Sequence, residues 1–180
     1  MAGDPLDFRD PIGSFVPTWR RILLDPRAFY ESLPLQGGLQ APATFAAICL
    51  AIGGVEFLVF GGGLKGALGF VVLGLVRLFL GAAIVTLVAE NLFEGKGDYE
   101  ATFRVLAYST AIAAFLGLPI LKFLAAIYGA FLVVVGLEAA HRFDAPRAVL
   151  TLIATAAVGA ALIYAFGLWD LAQRVNPLFQ

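Results

Sequence analysis

The sequence predicts an all-α membrane protein, five transmembrane helices in one bundle preceded by an N-terminal amphipathic interfacial segment. Three observations carry that prediction. Of 180 residues, 61% are hydrophobic and 14% charged, with a mean hydropathy of +0.90. A soluble domain carries about 25% charged and roughly 45–50% apolar residues, so this chain has too little polar surface to dissolve as a compact monomer. Its apolar runs, such as residues 39–64, exceed the roughly 20 residues that a spanning helix needs. Finally, residues 1–40 differ from the rest: they hold four arginines and a helical-period apolar stripe, and lack a signal-peptide core.

Residues 1–40 form a cytoplasmic or interfacial segment and residues 41–180 a transmembrane domain. In the first segment Phe15, Trp19, Ile22, Leu23, Pro26, Phe29, Tyr30 and Leu33 recur at spacings of three and four, with Arg20, Arg21, Asp25, Arg27 and Glu31 between them. Asp25-Pro26 divides the stripe into two short helices, because Pro suits the first helical position after an Asp cap but cannot donate inside a helix. Two readings stand: a surface at Trp19, Arg20, Arg21 and Phe29 that meets headgroups or a partner, or a cover packed on the bundle.

The first span covers residues 41–63 and ends in Gly61-Gly62-Gly63; the second covers 67–89 after the connection Leu64-Lys65-Gly66, making an antiparallel hairpin. A third, short span at 103–118 is stopped by Gly117-Leu118-Pro119. The fourth covers 120–140. The fifth covers 147–168, with Trp169 and Asp170 at the far interface. With the N-terminus inside, the inner segments hold eight basic residues and the outer segments three, Lys65, Lys122 and Arg174, while Arg77 falls within the bilayer. That bias predicts a multi-pass protein of the cell (inner) membrane, N-terminus cytoplasmic and C-terminus outside.

Charges at membrane depth are costly, about 2.5–3.5 kcal/mol on insertion scales, and mark candidate sites. Glu56 and Arg77 are the deep pair. Counted from a turn at residues 61–66, Arg77 lies roughly 4–9 Å deeper than Glu56, within reach of an arginine side chain. They form either a structural ion pair or the lining of an ion or solute pathway. A second group, Glu90, Arg104, Tyr108, Glu138 and His141, gathers at the inner end. Glu138 and His141 share a helix face there, where they coordinate a cation, respond to pH, or simply anchor at the interface. Arg104 reaches Glu90, Glu100 or Glu138, as a loop clamp or a lipid-phosphate contact. Small residues recur four apart at Ser109, Ala113 and Gly117, at Ala125 and Gly129, and at Ala156/Ala160 and Ala157/Ala161, for internal packing or a homo-oligomeric contact.

Other chemistry is scarce. The single histidine and the single cysteine, Cys49 deep in an apolar run, exclude a disulfide scaffold, a zinc cluster and a nucleophile triad. Gly61-Gly62-Gly63 lacks the Lys-Ser/Thr of a phosphate loop. The net charge of −1 excludes a globally basic nucleic-acid binder. A non-enzymatic protein without metal or cofactor is expected, its partners the lipid bilayer and a protein at the cytoplasmic face.

The order of these features resembles the Yip1 domain family in its short bacterial form. The resemblance rests on the aromatic-rich stretch from Trp19 through Asp25-Pro26 to Phe29-Tyr30, then on Gly97-Asp98-Tyr99 running to Arg104 and Tyr108, and on Pro119. It continues through Tyr128-Gly129, Gly136-Leu137-Glu138 with His141, and Pro146-Arg147-Ala148. It implies five spans with a cytoplasmic N-terminus. Eukaryotic members are associated with vesicle traffic and prenylated Rab-type GTPases, but this chain lacks their Asp-Leu-Tyr-Gly-Pro stretch. For the bacterial branch the resemblance implies no particular biochemical activity, and the expected function is a membrane-organising or partner-binding scaffold acting through the inner face. A small channel or transporter using Glu56 and Arg77 is the alternative, and lipid binding or scrambling a third reading.

Overall fold

The computed structural model describes residues 4–7, 9–60, 63–116, 118 and 121–165. Gly61, Gly62, Gly117, Pro119, Trp169, Asp170 and Arg174, named above, lie outside the described residues, as does the end of the fifth expected span. Among the described residues every regular element is helical.

Helix α1, Pro11–Leu24, starts where the Asp10 side chain accepts the Gly13 N–H at 2.9 Å and Pro11 occupies the first turn. It ends at Asp25, whose side chain caps α2, Pro26–Glu31. The Asp-Pro break therefore falls where the sequence places it. Helix α3, Gln40–Val59, and helix α4, Gly63–Phe93, form the expected antiparallel hairpin. Helix α4 is longer than residues 67–89: Leu64-Lys65-Gly66 belongs to its first turns, not to a connection, and 31 residues give it about 46 Å. It stops at Glu94, whose φ of 57° is left-handed, and the Gly95 N–H turns back to the Ala89 carbonyl at 2.8 Å.

The third expected span is the main departure. Residues 99–115 form α5, Tyr99–Ser109, followed by a 3-10 segment, Thr110–Phe115, and neither is a long apolar helix. Four helices are long and apolar enough to cross a membrane by themselves, α3, α4, α6 (Lys122–His141) and α7 (Ala145–Ala165), not the five expected; α5 and the 3-10 segment nonetheless run back along α6, from Gly97 beside His141 to Ile112 beside Gly129, so the chain still passes along the bundle five times among the described residues. The physical reason lies in what surrounds α5. It packs against α3, α4 and α6, and Ala101 to Val105, Ala107 and Tyr108 are buried. A segment lined by protein on its flanks needs neither the length nor the apolarity that lipid demands, because its polar groups bond inside the bundle.

The principal core joins Ile22, Phe29 and Tyr30 of α1 and α2 to Phe45 and Cys49 of α3, Val105 and Tyr108 of α5, and Leu132 of α6. Smaller clusters join α4 to α5 through Leu78, Ala82 and Phe103, and α4 to α6 and α7 through Val85, Leu137 and Ala148. The N-terminal helices thus share the core of the bundle. They lie along its flank: the Tyr128 hydroxyl donates to the Leu23 carbonyl at 2.7 Å, thirteen residues before the end of α6, or about 20 Å from it.

Small residues divide by element. Ser109 and Ala113 are buried against neighbours, and Gly53 lets the Ala113 carbonyl approach so closely that a Cβ there would meet it at 2.5 Å. In α7, Ala156, Ala157, Ala160 and Ala161 are all exposed, so that helix does not use them for packing within the chain.

Candidate functional site

At the end of the bundle where α4 and α6 finish and α5 begins, polar side chains tie four segments together. Asp98 caps α5 by accepting the Ala101 N–H at 2.8 Å, which fixes the first turns of the helix that carries Thr102, Arg104 and Tyr108. Arg104 is fully buried. Its Nη1 donates to the Gly38 carbonyl at 2.8 Å and its Nη2 pairs with Asp4, while the Gly38 N–H donates to Glu100 at 2.6 Å. The peptide at Gly38, where φ is +90° and a side chain would be strained, is thereby held on both faces by α5. A buried guanidinium that bonds a backbone carbonyl and a carboxylate is a clamp that joins the chain before α3 and the first residues to the bundle.

Tyr108 stands one turn further on. Its ring meets Phe29 at 5.4 Å and Phe45 at 5.1 Å, so it packs between α2 and α3. Close by, the Tyr30 hydroxyl bonds Ser109 at 2.7 Å, and burial pushes the Tyr30 phenol well above its ordinary range, with the Ser109 bond opposing less strongly. The Ser109 hydroxyl donates onward to the Val105 carbonyl at 2.8 Å.

His141 is buried at the end of α6. The Gly97 N–H points at its Nδ1 at 3.3 Å, so the ring proton is assigned to Nε2, which meets the Thr102 hydroxyl at 2.9 Å; that hydroxyl donates to the Asp98 carbonyl. His141 therefore serves as a strut between α5, α6 and the 94–98 loop. Glu138, on the same helix face, turns to Arg27 of α2 at 3.9 Å. Glu90 is exposed on α4 and joins none of these contacts among the described residues.

The deep charges are not brought together. Gly53 faces Phe70, Gly54 faces Ala67 and Val71, and Gly74 faces Leu50. That register sets Glu56 level with Leu68 and Arg77 level with Ala47, nine residues or about 13 Å apart along the axis. The shorter offset expected from sequence assumed a turn at 61–66, whereas α4 already begins at Gly63. Arg77 is exposed on α4.

Of the residues assigned to a surface, Phe29 is in the core, at 1% exposure, and Trp19 is half-buried, donating to the Ala111 carbonyl at 2.9 Å and stacking on Phe115. Arg20 and Arg21 are exposed, Arg21 reaching the Ser32 hydroxyl at 2.9 Å. Sequence reasoning missed Asp4, Gly38, Asp98, Thr102 and the donor role of Trp19. Only Asp98 carried a local signal, as an Asp preceding a helical run. Among the described residues no three His, Cys, Asp or Glu side chains converge to hold a metal ion.

This architecture defines a helical membrane protein whose buried polar groups hold its own segments in place. A family model describes the same chain: the Yip1 domain matches residues 20–166, and the protein belongs to the Yip1 domain family. No curated protein and no solved structure matches it.

Proposed function

We propose that the protein is a non-enzymatic scaffold of the cell inner membrane, N-terminus cytoplasmic and C-terminus outside, that organises the membrane or holds a protein partner at its inner face. The observation that carries this reading is the filled centre. Phe103, Val105, Ala107 and Tyr108 of α5 have no exposure at all and lie between α3, α4 and α6, so the bundle closes around side chains instead of a path. Its buried charges are spent on internal ties. A transport pathway between Glu56 and Arg77 finds no such support, since the register separates them. Of the exposed arginines on the docked N-terminal helices, Arg27 lies beside Glu138 near the end of α6, at the inner face, and is the kind of cation that meets anionic headgroups or an acidic partner. The exposed small residues of α7 leave a face on which a second copy packs closely.

Capture of partners from the native membrane fraction, with flux measured in liposomes, tests the reading. Wild type captures a defined partner and passes neither protons nor potassium; Arg27→Glu loses the partner. The reading fails if Arg104→Ala and Arg27→Glu, both folded by helix content and elution volume, leave every captured protein unchanged. Proton or potassium flux abolished by Glu56→Gln would replace it with transport.

A further inference from the structure

The end of the bundle also carries a cavity that the internal ties do not use. It has a volume of about 300 Å³ and lies between the linker ahead of α3 (Leu35, Gln36), the α4–α5 loop (Lys96, Gly97, Asp98) and the end of α6 (Ala140, Arg142). Several cations at this end have partners: Arg104 pairs with Asp4, Arg27 with Glu138 and Arg147 with Asp144. Lys96 and Arg142 come from different segments, make no side-chain hydrogen bond or ion pair among the described residues, and border the same cavity.

The cavity is built in advance. The Lys96 N–H bonds the His141 carbonyl and the Gly97 N–H bonds the His141 ring, each at 3.3 Å, so the loop is pinned from behind by a buried side chain. Gly97 is packed so tightly that a Cβ would lie 2.8 Å from the Ala140 carbonyl. Arg142 is held in the left-handed conformation, φ 57° and ψ 40°, at the end of α6, where its N–H returns to the Glu138 carbonyl. The one acid bordering the cavity, Asp98, is engaged as the cap of α5. Leu35, Ala101 and Ala140 supply apolar wall beside the cations.

We propose that this cavity binds a phosphate group, with Lys96 and Arg142 as its cationic contacts. The chemistry suits a monoanionic phosphodiester: two cations outweigh one engaged carboxylate, Gln36 adds a neutral polar group, and the apolar wall takes the carbon adjoining the phosphate. Its place, where α6 ends and α7 begins, is where apolar helices give way to polar loop, which is the level of lipid phosphates; a soluble phosphate compound presents the same group.

The test uses the full-length protein in a neutral detergent, titrated with phosphatidylglycerol, phosphatidylcholine or inorganic phosphate, with bound lipid counted by native mass spectrometry and stability followed by thermal unfolding. Wild type retains one phosphatidylglycerol in preference to phosphatidylcholine. Lys96→Gln/Arg142→Asn weakens that binding about thirtyfold, some five- to sixfold for each cation. Lys65→Gln/Lys122→Gln, the same charge change at the opposite end, alters it less than threefold. Asparagine is chosen at 142 because it tolerates the left-handed backbone. Should that double variant fail to fold, Gln36→Glu at an exposed position places an anion on the rim and weakens binding too. Stabilisation by inorganic phosphate, lost in the same variants, supports the site and assigns its ligand to soluble phosphates. Equal binding of the two lipids with no effect of inorganic phosphate overturns the proposal, as do equal losses in both double variants.

Discussion

Replacing Tyr30 by phenylalanine removes one oxygen from the contact that fastens α2 to α5, and the structure fixes what this costs. Ser109 already donates its proton to the Val105 carbonyl, so the Tyr30 hydroxyl is the donor in the bond between them. Tyr30→Phe therefore removes one neutral hydrogen bond and leaves Ser109 with its own acceptor, a loss of about 1 kcal/mol. Ser109→Ala instead strands the Tyr30 hydroxyl in a site with 1% exposure and costs about 2 kcal/mol, nearer the desolvation penalty of an orphaned group. The double variant falls below Ser109→Ala, near Tyr30→Phe alone, because the stranded hydroxyl is gone, and the cycle gives a coupling of about 2 kcal/mol. Unfolding of the purified protein in mixed micelles by increasing dodecyl sulfate, followed by circular dichroism, measures all four. Alkaline pH supplies an independent check. The folded state raises the Tyr30 phenol above its usual 10.0, so the unfolded chain loses that proton first and the contribution falls as pH rises through 10. At pH 11 wild type forfeits on the order of 1 kcal/mol that Tyr30→Phe keeps, and the two converge. Equal effects of the two single substitutions, or a gap independent of pH, refute the docking of α2 into the core.

Three further outcomes follow from the same structure. Asp4→Ala leaves the buried Arg104 guanidinium with only the Gly38 carbonyl, and because Asp4 keeps a quarter of its side-chain surface in solvent the loss is about 1–3 kcal/mol, below that of Arg104→Ala, in the same micelle titration. Gly53→Ala, whose Cβ would lie 2.5 Å from the Ala113 carbonyl, destabilises by about 1–3 kcal/mol, whereas Gly69→Ala and Gly81→Ala on α4, with open space around the added carbon, stabilise by roughly 0.5–1 kcal/mol. A double-mutant cycle of Glu56→Gln with Arg77→Leu gives a coupling within about 0.5 kcal/mol of zero, since the register holds the two side chains nine residues apart; a coupling above about 1 kcal/mol would restore the ion pair.

Composition and period carried the coarse fold because lipid imposes them: four helices that face lipid are long, apolar and bounded by Gly, Pro or charge, and each was legible. The Asp25-Pro26 break was legible for a similar reason, since it is local, and the Asp98 cap, though missed, carried the same kind of local signal. The third span was not. Its apolar residues 111–118 continue a run that begins among Thr102, Arg104, Tyr108 and Ser109, and hydropathy cannot tell a helix that faces lipid from one wrapped by other helices. The difference lies in tertiary partners far along the chain: Arg104 finds Gly38 and Asp4, and Ser109 finds Tyr30.

The same limit explains how the candidate site was read. Arg104, Tyr108, Glu138 and His141 stood out as polar groups at one end of the bundle, but which of them stay buried depends on the N-terminal segment. Once Tyr30 and the chain at Asp4 and Gly38 pack against α5, Arg104 is sealed at zero exposure, and His141 is closed over by Gly97. The residues that most resembled a site by type became internal ties. Lys96 and Arg142, whose cationic ends are free beside the cavity among the described residues, are ordinary loop residues by sequence. A charge near a membrane surface is informative only after its neighbours have been placed, because the same guanidinium that clamps a backbone carbonyl at Arg104 faces an open cavity at Arg142.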